Sequence, residues 1–186
     1  TLCALAVSPD GRRLAAVFAL RGPAAPNAAP DLRGWYLTAW DLRSGARRFV
    51  AVMDAGEGAF LAGSQNLRYS PDGTRLLTAW GQAMLFDADT GDLLRTLAAP
   101  KPSAVDASID AGDWADGGRT VLGASHERVF AWDADTGELR ASRAFDKRAF
   151  VLDVRASDAR RSVAVVDNTA VLTFALPDLA ARLAAS

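Results

Sequence analysis

The sequence predicts an all-β protein built from four repeats, each a unit of four short antiparallel strands. Three observations predict it: a turn motif recurs along the 186 residues, an aromatic–acid motif recurs in step with it, and the apolar runs between them are short and carry no helical period. A period of 42 to 46 residues holding four strands and two tight corners is the pattern of a β-propeller blade.

The turn motif is Ser8-Pro9-Asp10-Gly11, repeated as Ser70-Pro71-Asp72-Gly73 and, in worn form, as Trp114-Ala115-Asp116-Gly117 and Ala156-Ser157-Asp158-Ala159. Pro sets φ near −65°, Asp can hold nearby backbone N–H groups and Gly accepts positive φ, so each copy predicts a hairpin. An arginine and an apolar strand follow each time: Arg13 to Val17, Arg75 to Thr78, Arg119 to Leu122 and Arg161 to Val165. The second motif is Trp40-Asp41-Leu42-Arg43-Ser44-Gly45, then Phe86-Asp87-Ala88-Asp89-Thr90-Gly91, then Trp132-Asp133-Ala134-Asp135-Thr136-Gly137. Its aromatic residues stand 46 apart twice, and Phe174 continues the series after 42. Equivalent places in a repeat make Trp40, Phe86, Trp132 and Phe174 packing residues between blades. Blade 1 is read at about 1–54, blade 2 at about 59–99, blade 3 at about 108–146 and blade 4 at about 150–186. In blade 1 the distance from turn to aromatic is about 15 residues too long, and the excess falls on Arg21 to Gly34, an extended loop holding Pro23, Pro26 and Pro30. The last corner, after Phe174-Ala175, is degenerate, and residues 178–186 could instead begin a short helix capped by Asp178.

Ser-Pro-Asp-Gly, Trp-Asp and Asp-x-x-Thr-Gly, in this order and register, resemble the WD-repeat family and above all its divergent bacterial members. The resemblance covers nearly the whole chain. It departs from the family in having no Gly-His pair, since His126 is the only histidine, so the hydrogen-bond network that accompanies that pair is not available. Propellers of that family usually close with about seven blades. Four repeats are therefore expected to be part of a larger ring, continued by the same parent chain or completed by another subunit, with closure by four alone as the remaining alternative.

A formal net charge of −1 argues against a general nucleic-acid partner, and the longest apolar run, Leu14 to Leu20, is far short of the ~20 residues of a membrane-spanning helix. We expect neither a span nor a secretory leader. One cysteine, Cys3, forms no internal disulfide, which makes a cytoplasmic location the expectation. Ser125-His126-Glu127 carries residue types of nucleophilic hydrolysis, but strand neighbours point to opposite faces and a nucleophile elbow is lacking. Asp110, Asp113 and Asp116, or Asp87, Asp89 and Asp92, offer hard-cation oxygens in no calcium-loop spacing, and one Cys with one His is too few for structural zinc. No catalytic, cofactor or metal site is expected.

The expected function is a non-catalytic protein-interaction or sensor scaffold. The alternative is the accessory propeller of an enzyme, gating a hydrolase domain or holding an axial quinone-type cofactor. The resemblance implies that links between second and third strands, and from blade to blade, share the face most used for binding. It places there the candidate partner-binding residues Arg21, Arg33, Trp35, Trp80, Gln82, Lys101, His126, Glu127, Arg128 and Asn168.

Overall fold

The computed structural model describes residues 2–20, 34–53, 66–99, 108–125, 127–145, 151–159, 162–167 and 170–175; for Leu20, Trp80, Phe174 and Ala175 it describes the backbone alone. Strands form where β-branched, aromatic and alanine residues run between the Pro-Asp-Gly and Asp-x-x-Thr-Gly corners. The first sheet holds β1 (Leu2–Val7), β2 (Arg13–Leu20), β3 (Gly34–Asp41) and β4 (Arg47–Met53). The second holds β5 (Asn66–Tyr69), β6 (Arg75–Trp80), β7 (Gln82–Asp87) and β8 (Leu93–Leu97). The third holds β9 (Ala111–Ala115), β10 (Thr120–Ala124), β11 (Arg128–Asp133) and β12 (Leu139–Ala144). The fourth holds β13 (Val151–Ser157), β14 (Ser162–Asp167) and β15 (Val171–Ala175). Each sheet is an antiparallel meander of chain-adjacent strands. The expected fourth strand of blade 4, and the expected helix at 178–186, lie outside the described residues.

The first strands β1, β5, β9 and β13 lie against one another and form the inner edge of the array. Alternate residues of each sheet face the sheet before and the sheet after, which gives one core per junction. Ala15, Val17, Leu37 and Phe49 of the first sheet meet Leu67, Leu76 and Phe86 of the second. Leu77, Leu85 and Leu97 of the second meet Val121, Phe130 and Trp132 of the third. The third junction is built of smaller groups, with Ala111, Ala124 and Ala131 against Val151, Val154, Val163 and Val165. Phe86 and Trp132 are buried, as repeat packing requires, and the Trp132 indole N–H donates to the Ala98 carbonyl at 3.0 Å. Trp40 is only half-buried, edge-on to Phe18 at 5.9 Å, because no described sheet covers its side of β3.

The pairing corrects the register of the two worn turns. Val121 pairs with Trp114 as Leu76 pairs with Tyr69 and Leu14 with Val7, so the counterpart of Ser70 to Gly73 is Ala115 to Gly118. Thr120, not Arg119, then stands where Arg13 and Arg75 stand. In the fourth sheet Ala156 pairs with Val163, which puts Ser162 there rather than Arg161. Arg119 turns back onto its own turn and pairs with Asp116 at 2.7 Å.

Candidate functional site

Antiparallel meanders send their corners alternately to two faces. The turns between first and second strands share one face with those between third and fourth, and their backbones are joined: Leu42 donates to Arg12, Ala88 to Thr74 and Ala134 to Arg119, at 2.8 to 2.9 Å. This turn face is occupied with its own structure. The Asp41, Asp87 and Asp133 carboxylates each accept the N–H groups two and three residues on, at 2.7 to 3.0 Å. Those hydrogen bonds hold the three carboxyls below the usual range, Asp133 at about 2 with Arg140 also donating to it. Ser8 and Ser70 donate to Asp10 and Asp72 in the same way, and each serine oxygen in turn accepts the N–H of the following arginine.

Arginines leave this face to clasp the next blade. Arg13 reaches the Gly73 carbonyl and Asp89, both at 2.7 Å, with its guanidinium 5.6 Å from the centre of the Tyr69 ring. One repeat later Arg75 reaches Gly118 at 3.1 Å, Ala134 at 3.3 Å and Asp135 at 2.8 Å, over Trp114 at 5.3 Å. With Thr120 in this place, the third junction uses other chemistry. Asp158 of the fourth blade accepts the N–H groups of Asp116 at 2.7 Å and Gly117 at 2.8 Å. To aim both at one carboxylate, Asp116 takes φ of 55° and Gly117 of 65°, a small anion-holding nest.

The opposite face carries the links between second and third strands and between blades, and backbone bonds pin one kind to the other. Trp80 and Gln82 pair across the single residue Gly81, whose φ of 70° makes that reversal possible, and the Gly81 carbonyl accepts Ile109 N–H at 3.0 Å. In the third blade the Glu127 carbonyl accepts Phe145 N–H at 2.8 Å, and the Arg128 carbonyl accepts Ser125 N–H at 2.8 Å. Gln82 is exposed, while Glu127 and Arg128 are half-buried. Trp35 is half-buried as well, packed on the first core beside Met53. Trp80 ends β6 on this face. Arg21, Arg33, Lys101, His126 and Asn168 lie outside the described residues. The Ser125 hydroxyl is turned inward and donates to the Arg128 carbonyl at 3.4 Å.

Two clusters went unread in the sequence. Arg143 lies over the Phe145 ring at 5.8 Å, beside Glu127 and Arg128, because its strand ends at this face. On the inner strands Arg68, Asp113, Asp153 and Arg155 come together, with Arg155 paired to Asp153 at 2.8 Å. Burial pushes the Asp113 carboxyl up, opposed by the Ala156 N–H that it accepts at 2.9 Å; burial lowers Arg68, and Arg155 adds to that. The polar residues of β5, β9 and β13 signalled this cluster, but only sheet order brings them side by side. Asp110, Asp113 and Asp116 point to different parts of the blade, namely link face, inner strand and turn. Among the described residues no three potential metal ligands converge. Nor is any helix among them long and apolar enough to cross a membrane.

Comparison with known proteins bears on the fold. No protein-family model matches the chain. No curated protein matches it either. Among solved structures the chain is similar to BamB from Moraxella catarrhalis, with a TM-score of 0.65 at 17% identity over 95% of this chain and 47% of that one. It is similar also to the β-propeller domain of Cps50 (Swd1) from Myceliophteria thermophila, with a TM-score of 0.69 at 19% identity over 94% of this chain and 51% of that one. The chain thus spans about half the length of the solved proteins it matches. Repeat register, four successive antiparallel sheets around a common inner edge, and these likenesses together make the chain a run of WD-repeat-like β-propeller blades.

Proposed function

We propose that these blades are a non-catalytic protein-interaction scaffold that binds through the link face. The observation that carries this is the contrast between the two faces. On the turn face the corner carboxylates close turns and Arg13 and Arg75 clasp neighbours. The link face is held rigid by backbone bonds at Gly81–Ile109 and Glu127–Phe145, and it presents Gln82, Glu127 and Arg128, with Arg143 over Phe145. Rigid positioning of mixed charged and aromatic groups lowers the ordering cost of binding a protein surface. The scaffold is expected to work in the cytoplasm, a reading supported by its single cysteine.

Cross-linking mass spectrometry on the parent protein with its bound partner tests this reading. Cross-links and lost affinity should map to Gln82, Glu127, Arg128 and Arg143, with Glu127→Arg and Arg128→Glu weakening capture at least about tenfold, as truncation of central interface charges does. Capture that is insensitive to these changes, or that maps to Arg12, Arg43 and Arg119 on the turn face, sinks the proposal.

A further inference from the structure

We infer that the uncovered face of the first blade seats a further propeller blade, from outside these 186 residues, whose second strand opens on an aspartate or glutamate. This concerns a different surface from the link face and stands or falls apart from it.

Each clasping guanidinium meets three things on the following blade: an aromatic ring, a glycine carbonyl and a carboxylate. On the second blade they are Tyr69, Gly73 and Asp89; on the third, Trp114, Gly118 and Asp135. The strand registers carry these places to Val7, Gly11 and Arg43 on the first blade. An arginine arriving there finds another arginine in place of its carboxylate and an aliphatic side chain in place of the ring. An acidic side chain finds Arg43, as Arg13 finds Asp89, with the signs exchanged.

The rest of the face is shaped as a blade-seating surface. Val7 is 55% exposed where its counterparts Tyr69 and Trp114 are 8% and 5%, and Leu42 is 48% exposed where Ala88 and Ala134 are 0% and 3%. Leu5, Val50 and Val52 are exposed on the same side of β1 and β4. Such a face is buried wherever a blade precedes it in this chain. A second copy does not meet the requirement, because its last blade offers the neutral Ser162 in the clasping place. Charge complementarity therefore selects an acidic blade over both an arginine-bearing blade and a second copy.

The whole chain can test this with its own fourth blade as the probe, by sedimentation velocity over a concentration series. The unaltered chain should stay monomeric. Ser162→Glu should self-associate at least about tenfold more tightly than the unaltered chain, the effect of one close interfacial charge pair. Ser162→Arg should not associate, and Arg43→Asp combined with Ser162→Arg should associate as Ser162→Glu does. Ser162→Glu combined with Arg43→Asp should abolish it. Equal association of Ser162→Glu and Ser162→Arg overturns the inference, as does a monomer throughout the series. Tight association of the unaltered chain assigns the face to a second copy instead and also overturns it.

Discussion

Removing the guanidinium of Arg75 isolates the interblade clasp, because methionine keeps the aliphatic stem against Trp114. Arg75→Met deprives the Gly118 and Ala134 carbonyls of donors, at about 1 kcal/mol each for groups this close to a core. Contact over the Trp114 ring contributes about 0.5 kcal/mol more. The ion pair itself adds at most about 0.5 kcal/mol, since Asp135 is 77% exposed and water screens it. The loss is thus about 2–3 kcal/mol, which for a chain of this length lowers Tm by about 5–10 °C. Urea unfolding followed by far-ultraviolet circular dichroism should show a lower midpoint with unchanged slope. Arg119→Met is the control: it breaks only exposed contacts within one turn, the pair with Asp116 and the bond to the Asp116 carbonyl, and should leave the midpoint close to that of the unaltered protein. Arg75→Lys should lose at least half as much as Arg75→Met, because an ammonium cannot fork between two carbonyls and a carboxylate. If Arg75→Met lies within about 0.5 kcal/mol of the unaltered protein, or Arg119→Met costs as much, the clasp does not hold the blades together as argued.

Four further outcomes follow from the same geometry. Gly91→Ala should destabilise by more than about 2 kcal/mol, since φ is 80° and the new Cβ would sit 2.3 Å from the Phe49 ring, whereas Gly45→Ala, at φ of 73° with no atom within 4 Å, should cost about 1 kcal/mol; thermal melts compare them. Trp132→Phe should lose about 2 kcal/mol or more by chemical denaturation, because the bond to Ala98 disappears and a void opens where the indole packs over Gly123, a place that Thr78 fills beside Phe86 in the second blade. Asp116→Gly should be neutral or stabilising by up to about 1 kcal/mol, as it relieves a φ of 55° at the cost of an exposed pair. Asp133, at about 2 when folded and higher when unfolded, contributes stability that is present above the unfolded value near 3.8 and lost as pH falls toward 2. Denaturation midpoints from pH 5 to 2 should therefore fall less steeply in Asp133→Asn, and parallel curves for the two proteins would refute that assignment.

The blades were legible in the sequence because their corners are local chemistry. Ser-Pro-Asp-Gly and Asp-x-x-Thr-Gly satisfy backbone groups within a few residues, so the motifs place Gly11, Gly73, Asp41, Asp87 and Asp133 without reference to the rest of the molecule. The spacing of Trp40, Phe86 and Trp132 likewise carried the packing of one blade on the next. The link face was legible only as a set of places, through the alternation of corners. What its side chains do there depends on where each strand ends and how each link closes, as Arg143 over Phe145 and the Ser125 hydroxyl on the Arg128 carbonyl demonstrate.

Register in the worn turns was decided elsewhere. Trp114-Ala115-Asp116-Gly117 fits the motif by composition, yet cross-strand pairing moves the turn by one residue and strips the third blade of its clasping arginine. A one-residue shift costs nothing in local propensity but turns every side chain to the other face, so only burial of Val121 and Trp114 in the second core selects it. The same reason hides the nest around Asp158 and the inner cluster of Arg68, Asp113, Asp153 and Arg155, whose members lie tens of residues apart. Sequence determined which blades form, because their corners are closed by neighbours in the chain; tertiary structure decided how each blade grips the next, because those contacts join residues that only sheet order and burial bring together.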